Sequence, residues 1–474
     1  MPTVHNKLNA AFVLIASLFI AELILGFNGR LLLVAGIPVR MVTYGLFGVV
    51  LGLMILWAIN RRQITLSWKD ANSLWKMFEP FDYAFAAFIL LNTVWIVVIP
   101  SISGYGIGMA LEQTKSTMLL LLYFPLLILI KIRQVRLAAG DKIIKFCLFI
   151  LALVHLFLYI GEKVLDNATF AIQFFETIER LTFGHSDRPK ISYPMNYYRI
   201  IYPTSLFLLM VFYYTYKDKL TVRNMIFFLA GLAALLVTLT KSLWLGLAIG
   251  LAFIATYHAA YKIGRVNVRK ITTIAVLGFA CCCLMNATIL DQYLFTRVKN
   301  AFAYNSSGEI REGKIVIEKG VNEHLRHLDE LEGTRRANDT RIEQTKVLLN
   351  KWRQSPIFGF GYGSYAEELI RGPKGQPFLY EMLLPSLLVQ IGLLGVLIWV
   401  CFFLYVFRYA NRNPESSSGV LYLAVAICTA SQFNPFILGA PAMSMFLYIL
   451  LVIRTSTGAR KRLSPASSEE LKSA

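Results

Sequence analysis

Five charged side chains stand where this sequence can place chemistry. Glu381 begins an apolar run in Tyr380-Glu-Met-Leu-Leu, and Arg341 opens a helical pattern in Thr340-Arg-Ile-Glu-Gln. Lys241 separates two apolar runs in Thr238-Leu-Thr-Lys-Ser-Leu-Trp-Leu-Gly246. Arg199 precedes another in Tyr197-Tyr-Arg-Ile-Ile-Tyr202, and Glu22 lies inside one. A carboxylate such as Glu381 is suited to take a proton from a hydroxyl nucleophile. Arginine binds phosphate through a two-pronged fork, lysine as a compact point charge. Each residue also has a plainer use. A carboxylate at a helix start is favoured by the helix dipole, a lysine between apolar runs snorkels, and a lone loop arginine is a solvated charge.

What must position these groups is membrane. The 474 residues are 56% hydrophobic and 16% charged. Crossing ~30 Å of hydrocarbon takes about twenty apolar residues. Runs near 8–27, 41–59, 82–100, 117–132, 146–161, 200–216, 225–239, 243–260, 271–290, 383–407, 418–432 and 436–453 predict twelve spans, give or take one or two. The first, with Lys7 before it and no small-residue cleavage site after it, reads as an uncleaved anchor. With the N-terminus inside, the inner segments hold 24 Lys and Arg, against four in the short outer loops (Arg30, Arg40, Lys115, Lys241). The two long outer loops are nearly neutral, with five basic and five acidic residues in 161–199 and fourteen and thirteen in 291–382. The net charge of +19 is therefore the positive-inside signature and not a nucleic-acid footprint. Both termini are expected in the cytoplasm, with function on the outer face, where Lys241 is a candidate anion site for a lipid pyrophosphate.

The organisation that follows is spans one to nine over 1–290 with the outer loop 161–199, a large outer loop 291–382, spans ten to twelve over 383–453, and a disordered cytoplasmic tail 454–474. Within the large loop, 305–336 is charge-dense and reads as short amphipathic helices or a lid. Residues Asp339 to Arg353 predict a helix, with Thr340 and Glu343 as a capping box and Ile342, Leu349 and Trp352 at helical spacing. Pro356 stops it, and Gly359, Gly361 and Gly363 turn the chain as a hinge. A nucleotide reading of that glycine run is weak, because no strand precedes it and no Lys-Ser/Thr follows. All six cysteines fall in spans, no Cys/His metal spacing occurs, and the outer loops have no Asp-x-Asp pair. The sequence calls for no metal or cofactor, and it names no partner for Glu22.

The arrangement resembles the O-antigen ligase and polymerase family of bacterial envelope glycosyltransferases. The resemblance rests on the dominant outer loop between spans nine and ten, and on the run from Thr340-Arg341 through Trp352, Pro356 and Gly359-Phe-Gly-Tyr-Gly363. It rests also on Glu381 followed by Gly392-Leu-Leu-Gly395, and on Thr240-Lys241-Ser242. Where the family typically has His, this chain has Glu381; where it has Arg, this chain has Lys241. The resemblance implies an all-α integral membrane protein of about twelve transmembrane helices, glycosyltransferase-C-like, in the bacterial inner membrane. It implies an undecaprenyl-pyrophosphate-linked oligosaccharide as donor and an inverting, metal-independent displacement. Glu381 would work on the acceptor hydroxyl, with Lys241, Arg341 and Arg199 on the pyrophosphate. The acceptor would be another glycan repeat unit, for a polymerase of exopolysaccharide or O-antigen, or lipid A core or protein, for a ligase. The departure at Glu381 favours the polymerase. Other polysaccharide assembly proteins are implied partners. A twelve-span transporter or flippase would instead show matching halves, which this sequence lacks.

Overall fold

The structure, a computed structural model, describes residues 2–26, 33–34, 37–65, 67, 70, 73–132, 135, 137–165, 170, 173–174, 176–177, 190–192, 199–201, 203–261, 265–290, 295, 338–370, 376–434 and 436–462. The proposed lid at 305–336 and the tail from 463 lie outside them. Helical segments occupy all twelve expected places: α1 (Pro2–Leu25), α2 (Val39–Asn60), α3 (Pro80–Ile102), α4 (Ile107–Lys131), α5 (Leu137–Val164), α6 (203–217), α7 (Val222–Val237), α8 (Lys241–Ala260), α9 (Arg265–Thr288), α10 (Leu383–Ala410), α11 (Pro414–Ser431) and α12 (Ala440–Arg462). Eight of the described helices are long and apolar enough to cross a membrane. Val222–Val237 and the Ala440–Ser456 part of α12 are shorter apolar helices. The described β structure is two short ribbons, Leu33–Val34 with Ile37–Pro38 and Lys190–Ser192 with Arg199–Ile201, and an isolated bridge between Thr65 and Ser73.

Small residues let helices approach where no side chain could intervene. A Cβ on Gly246 of α8 would lie 2.6 Å from the Ala426 carbonyl oxygen of α11, and one on Gly250 would meet the Tyr422 ring at 2.7 Å. Charge holds the end of the bundle away from the 338–382 segment. Arg454 of α12 is buried and donates to Asp82 at 3.0 Å and Glu79 at 3.0 Å. The Tyr123 hydroxyl donates to the same Asp82, and Tyr409 to Glu79 at 3.0 Å. Glu79 and Asp82 also form the capping box of α3, with Pro80 in its first turn. Arg454, expected at the head of a disordered tail, is instead inside the bundle, and α12 continues to Arg462. Glu22 likewise has a partner: Arg40, expected as a loop cation, donates its Nε to Glu22 at 2.8 Å.

The glycine run is not a hinge. It is a re-entrant segment interlocked with a break in α10. Gly392 sits there at φ 62° and ψ −173°, roughly 13 Å along the helix from Leu383 at 1.5 Å per residue. The break takes Val389 and Gln390 carbonyls and Leu393 and Leu394 N–H groups out of the helical ladder. The loop supplies all four partners. Phe360 N–H donates to Val389 at 2.8 Å and Gly361 N–H to Gln390 at 2.7 Å, while Leu393 N–H donates to Pro356 at 2.9 Å and Leu394 N–H to Ile357 at 3.0 Å. Non-helical backbone at such depth is tolerated where its polar groups are paired within the protein. α3 makes a matching accommodation. Over Val94–Val98 it widens to a π stretch ahead of Pro100. The Trp95 carbonyl accepts the Tyr362 N–H at 2.9 Å, and the Trp95 indole donates to the Phe358 carbonyl at 2.7 Å. The apolar knuckle Ile357–Phe358 stays exposed, at 57% and 50%, beside the exposed Leu393 and Leu397 of α10.

Candidate active site

The re-entrant segment brings the loop helix, residues 338–352, against the start of α10. Thr340 lies inside this helix, not before it, so the expected capping box does not form its start. Arg341, Gln344 and Leu348 recur at helical spacing and share one face. Leu348 packs in a small cluster with Ala366, Tyr380 and Val389. Gln344 is fully buried, and its Oε1 accepts the N–H of Met382, the N-cap residue of α10, at 3.1 Å. Arg341 Nε donates to Glu381 Oε2 at 3.1 Å. That pair is part-exposed, with side-chain exposures of 34% and 38%. The two residues singled out at opposite ends of the polar segment are thus in direct contact.

Tyr380, next to Glu381, turns inward. Its hydroxyl accepts the Ala366 N–H at 2.8 Å, and burial pushes its phenol up to about 12, so it serves as a neutral strut. On the other flank, Gln113 of α4 reads the glycine run. Its Oε1 accepts the Gly363 N–H at 2.6 Å, and its Nε2 donates to Gln390 Oε1 at 3.0 Å. Gln376 Nε2 donates to Glu112 at 3.1 Å.

Lys241 is the first residue of α8 and half-buried. The turn that delivers it is strained. Leu239, a buried non-glycine residue, sits at φ 48°, a left-handed conformation that costs an L-residue energy. Thr238 and Thr240 brace it: Thr238 Oγ1 accepts the Thr240 N–H at 3.3 Å, and Thr240 Oγ1 donates to the Thr238 carbonyl at 3.0 Å. The connection between α11 and α12 then ties Lys241 to the Glu381 end. Asn434 Nδ2 donates to Ser242 Oγ at 2.5 Å, and the Gln432 carbonyl accepts the Leu383 N–H at 3.2 Å. Arg199 lies in the ribbon with Lys190–Ser192, and its side chain is outside the described residues. Gln344 was missed, although its place one helical turn from Arg341 made it legible. Gln113, Gln390 and Asn434 were not legible, since nothing local distinguishes them from other polar side chains near a span end.

A multi-pass helical membrane protein with an Arg341–Glu381 ion pair beside a glycine-rich loop locked into α10 is what fold and site define. Residues 226–400, from α7 into α10, match the family model described as O-antigen ligase. Over those residues the chain is similar to the O-antigen ligase family, whose members are glycosyltransferase-like membrane enzymes acting on lipid-linked glycans. The matched segment contains Lys241, Arg341 and Glu381, and it stops short of Arg199. No curated protein matches the chain.

Proposed function

We propose that this protein transfers a glycan from undecaprenyl pyrophosphate to an acceptor hydroxyl at the outer face of the bacterial inner membrane, polymerising exopolysaccharide or O-antigen repeat units. The contact between Arg341 and Glu381 at 3.1 Å, inside the segment that matches the family, carries the reading. Glu381 takes the acceptor proton as the acceptor oxygen bonds to the anomeric carbon. The bond from that carbon to the phosphate oxygen breaks on the opposite side, and lipid pyrophosphate leaves with the electron pair, inverting the centre. A guanidinium has five N–H donors, so Arg341 can hold Glu381 through Nε and face the departing pyrophosphate through its other nitrogens. Lys241 and Arg199 add positive charge where negative charge develops. The step as written needs no metal. Both chain termini then lie in the cytoplasm, on the side of the buried Arg454–Asp82 cluster.

Glu381 in place of the family's His favours the polymerase over ligation to lipid A core, and the assay separates them. Purified protein is given a lipid-pyrophosphate oligosaccharide with either a second such lipid or a lipid A core acceptor, and release of lipid pyrophosphate is followed. Turnover should need only the lipid-linked acceptor and should survive chelation of divalent metals. Glu381→Gln should lower it by about 10²–10⁴-fold, the range for loss of a positioned general base. Wild-type turnover in both Glu381→Gln and Arg341→Ala would sink the mechanism.

A further inference from the structure

The Arg341–Glu381 pair cannot fix its own geometry. Both side chains are more than a third exposed on average, and an ion pair in that setting holds position weakly. Something else must keep the loop helix in register with the start of α10. Leu348 meets the Val389, Tyr380 and Ala366 cluster through apolar packing alone, so that contact sets distance but not rotation. Among the described residues, that face also carries a directional contact. Gln344, a helical turn from Arg341 and fully buried, accepts the Met382 N–H at 3.1 Å, one residue from Glu381.

We propose that Gln344 is a positioning residue: its Oε1, by binding the Met382 N–H, sets the rotation of the loop helix so that Arg341 meets Glu381. Two further features fit. Met382 is the N-cap of α10, and the first N–H groups of a helix have no acceptor within it, so the Met382 N–H needs an outside one. The Gln344 Nε2 is buried and has no hydrogen-bond partner among the described residues. A buried amide kept with one end unpaired is costly to folding, which a methionine or leucine of the same size would avoid; the acceptor oxygen is what the position retains. The inference rests on the reading of Arg341 and Glu381 as the working pair.

The test is Gln344→Met in the full-length protein, which keeps volume and removes the acceptor. Amide exchange should accelerate at Met382 by tenfold or more, while residues 345–352 stay protected. With the lipid-pyrophosphate oligosaccharide, kcat should fall about 10–100-fold, the scale of a displacement near 1 Å at a reacting group, with KM changed less than twofold. Added to Glu381→Gln, the same substitution should cost nothing more, because it acts through that residue. An unchanged kcat, or an equal further loss in the Glu381→Gln background, overturns the proposal. If Gln344→Met does not fold, Gln344→Glu decides, since it keeps an acceptor oxygen. It should retain slow Met382 exchange and at least a third of wild-type kcat, and a larger loss with Met382 still protected refutes positioning. Wild-type protein inert toward every lipid-pyrophosphate glycan would fail the catalytic reading instead, and the Met382 exchange would still report whether Gln344 holds the junction.

Discussion

Replacing Gly392 by alanine tests the interlock on which the site is built. At φ 62° and ψ −173° the residue occupies a region nearly closed to side-chain-bearing residues, a strain of roughly 1–3 kcal/mol. Its new Cβ would lie 2.3 Å from the Ile357 carbonyl oxygen, 2.5 Å from the carbonyl carbon and 2.6 Å from the Gly359 nitrogen. All three are backbone atoms, so no side chain can swing away and the loop itself must retreat. Retreat breaks the four hydrogen bonds from Phe360, Gly361, Leu393 and Leu394, each about 1 kcal/mol net and more where water cannot replace it. The sum is about 5–7 kcal/mol. At roughly 2 °C per kcal/mol for a large chain, melting in lipid nanodiscs should drop by about 10 °C or more. Amide exchange at those four residues should accelerate, and turnover should fall as Glu381 loses its register. Gly48→Ala in α2, whose Cβ meets nothing within 4 Å, is the control and should be neutral or slightly stabilising. Gly392→Ala melting within 1 °C of wild type, with protection intact, would refute the interlock.

Other perturbations follow from the same geometry. Arg40→Gln strands the Glu22 carboxylate and should cost about 3–5 kcal/mol, read by melting; the double variant Glu22→Gln/Arg40→Gln should recover most of it, and failure to recover would show the pair is not what holds α1 to α2. Asp82→Asn should destabilise by less, because the buried Arg454 loses one of two anions at 3.0 Å and keeps Glu79, and limited proteolysis of the α12 end should accelerate. Tyr380→Phe leaves the Ala366 N–H without its acceptor and should cost about 1–3 kcal/mol, seen as faster exchange at Ala366. In the wild type the Tyr380 phenol, raised by burial from 10.0 to about 12, adds stability that is complete below pH 10 and is lost as pH rises through 12. Exchange at Ala366, corrected for its intrinsic base dependence, should report that loss, and Tyr380→Phe should abolish the pH effect.

The sequence alone determined the class and the places of the helices, because the signals are local. An apolar run long enough for a bilayer becomes a helix wherever it lies, and this held for 203–217 and 414–431, whose lengths are marginal. The break between α7 and α8 at 238–240 was legible for the same reason, since Thr238-Leu-Thr-Lys interrupts the run. Glu381 and Arg341 stood out because charge is rare at a span's edge. Only the tertiary structure decided what those residues touch. Glycines at 359, 361, 363 and 392 look alike in sequence as freedom to turn, yet each φ there is positive and each Cβ position is filled by another segment's atoms. They are points of closest approach between segments about thirty residues apart in the chain, and for Gly361 and Gly363 far more, at Pro100 and Met109–Ala110. Arg454 and Arg40 read as loop cations by the positive-inside count, and the acids that bury or pair them, Asp82 and Glu22, come from other helices. The positions of charges relative to the membrane are a property of the chain order, whereas their partners depend on which helices pack together, and no local pattern encodes that.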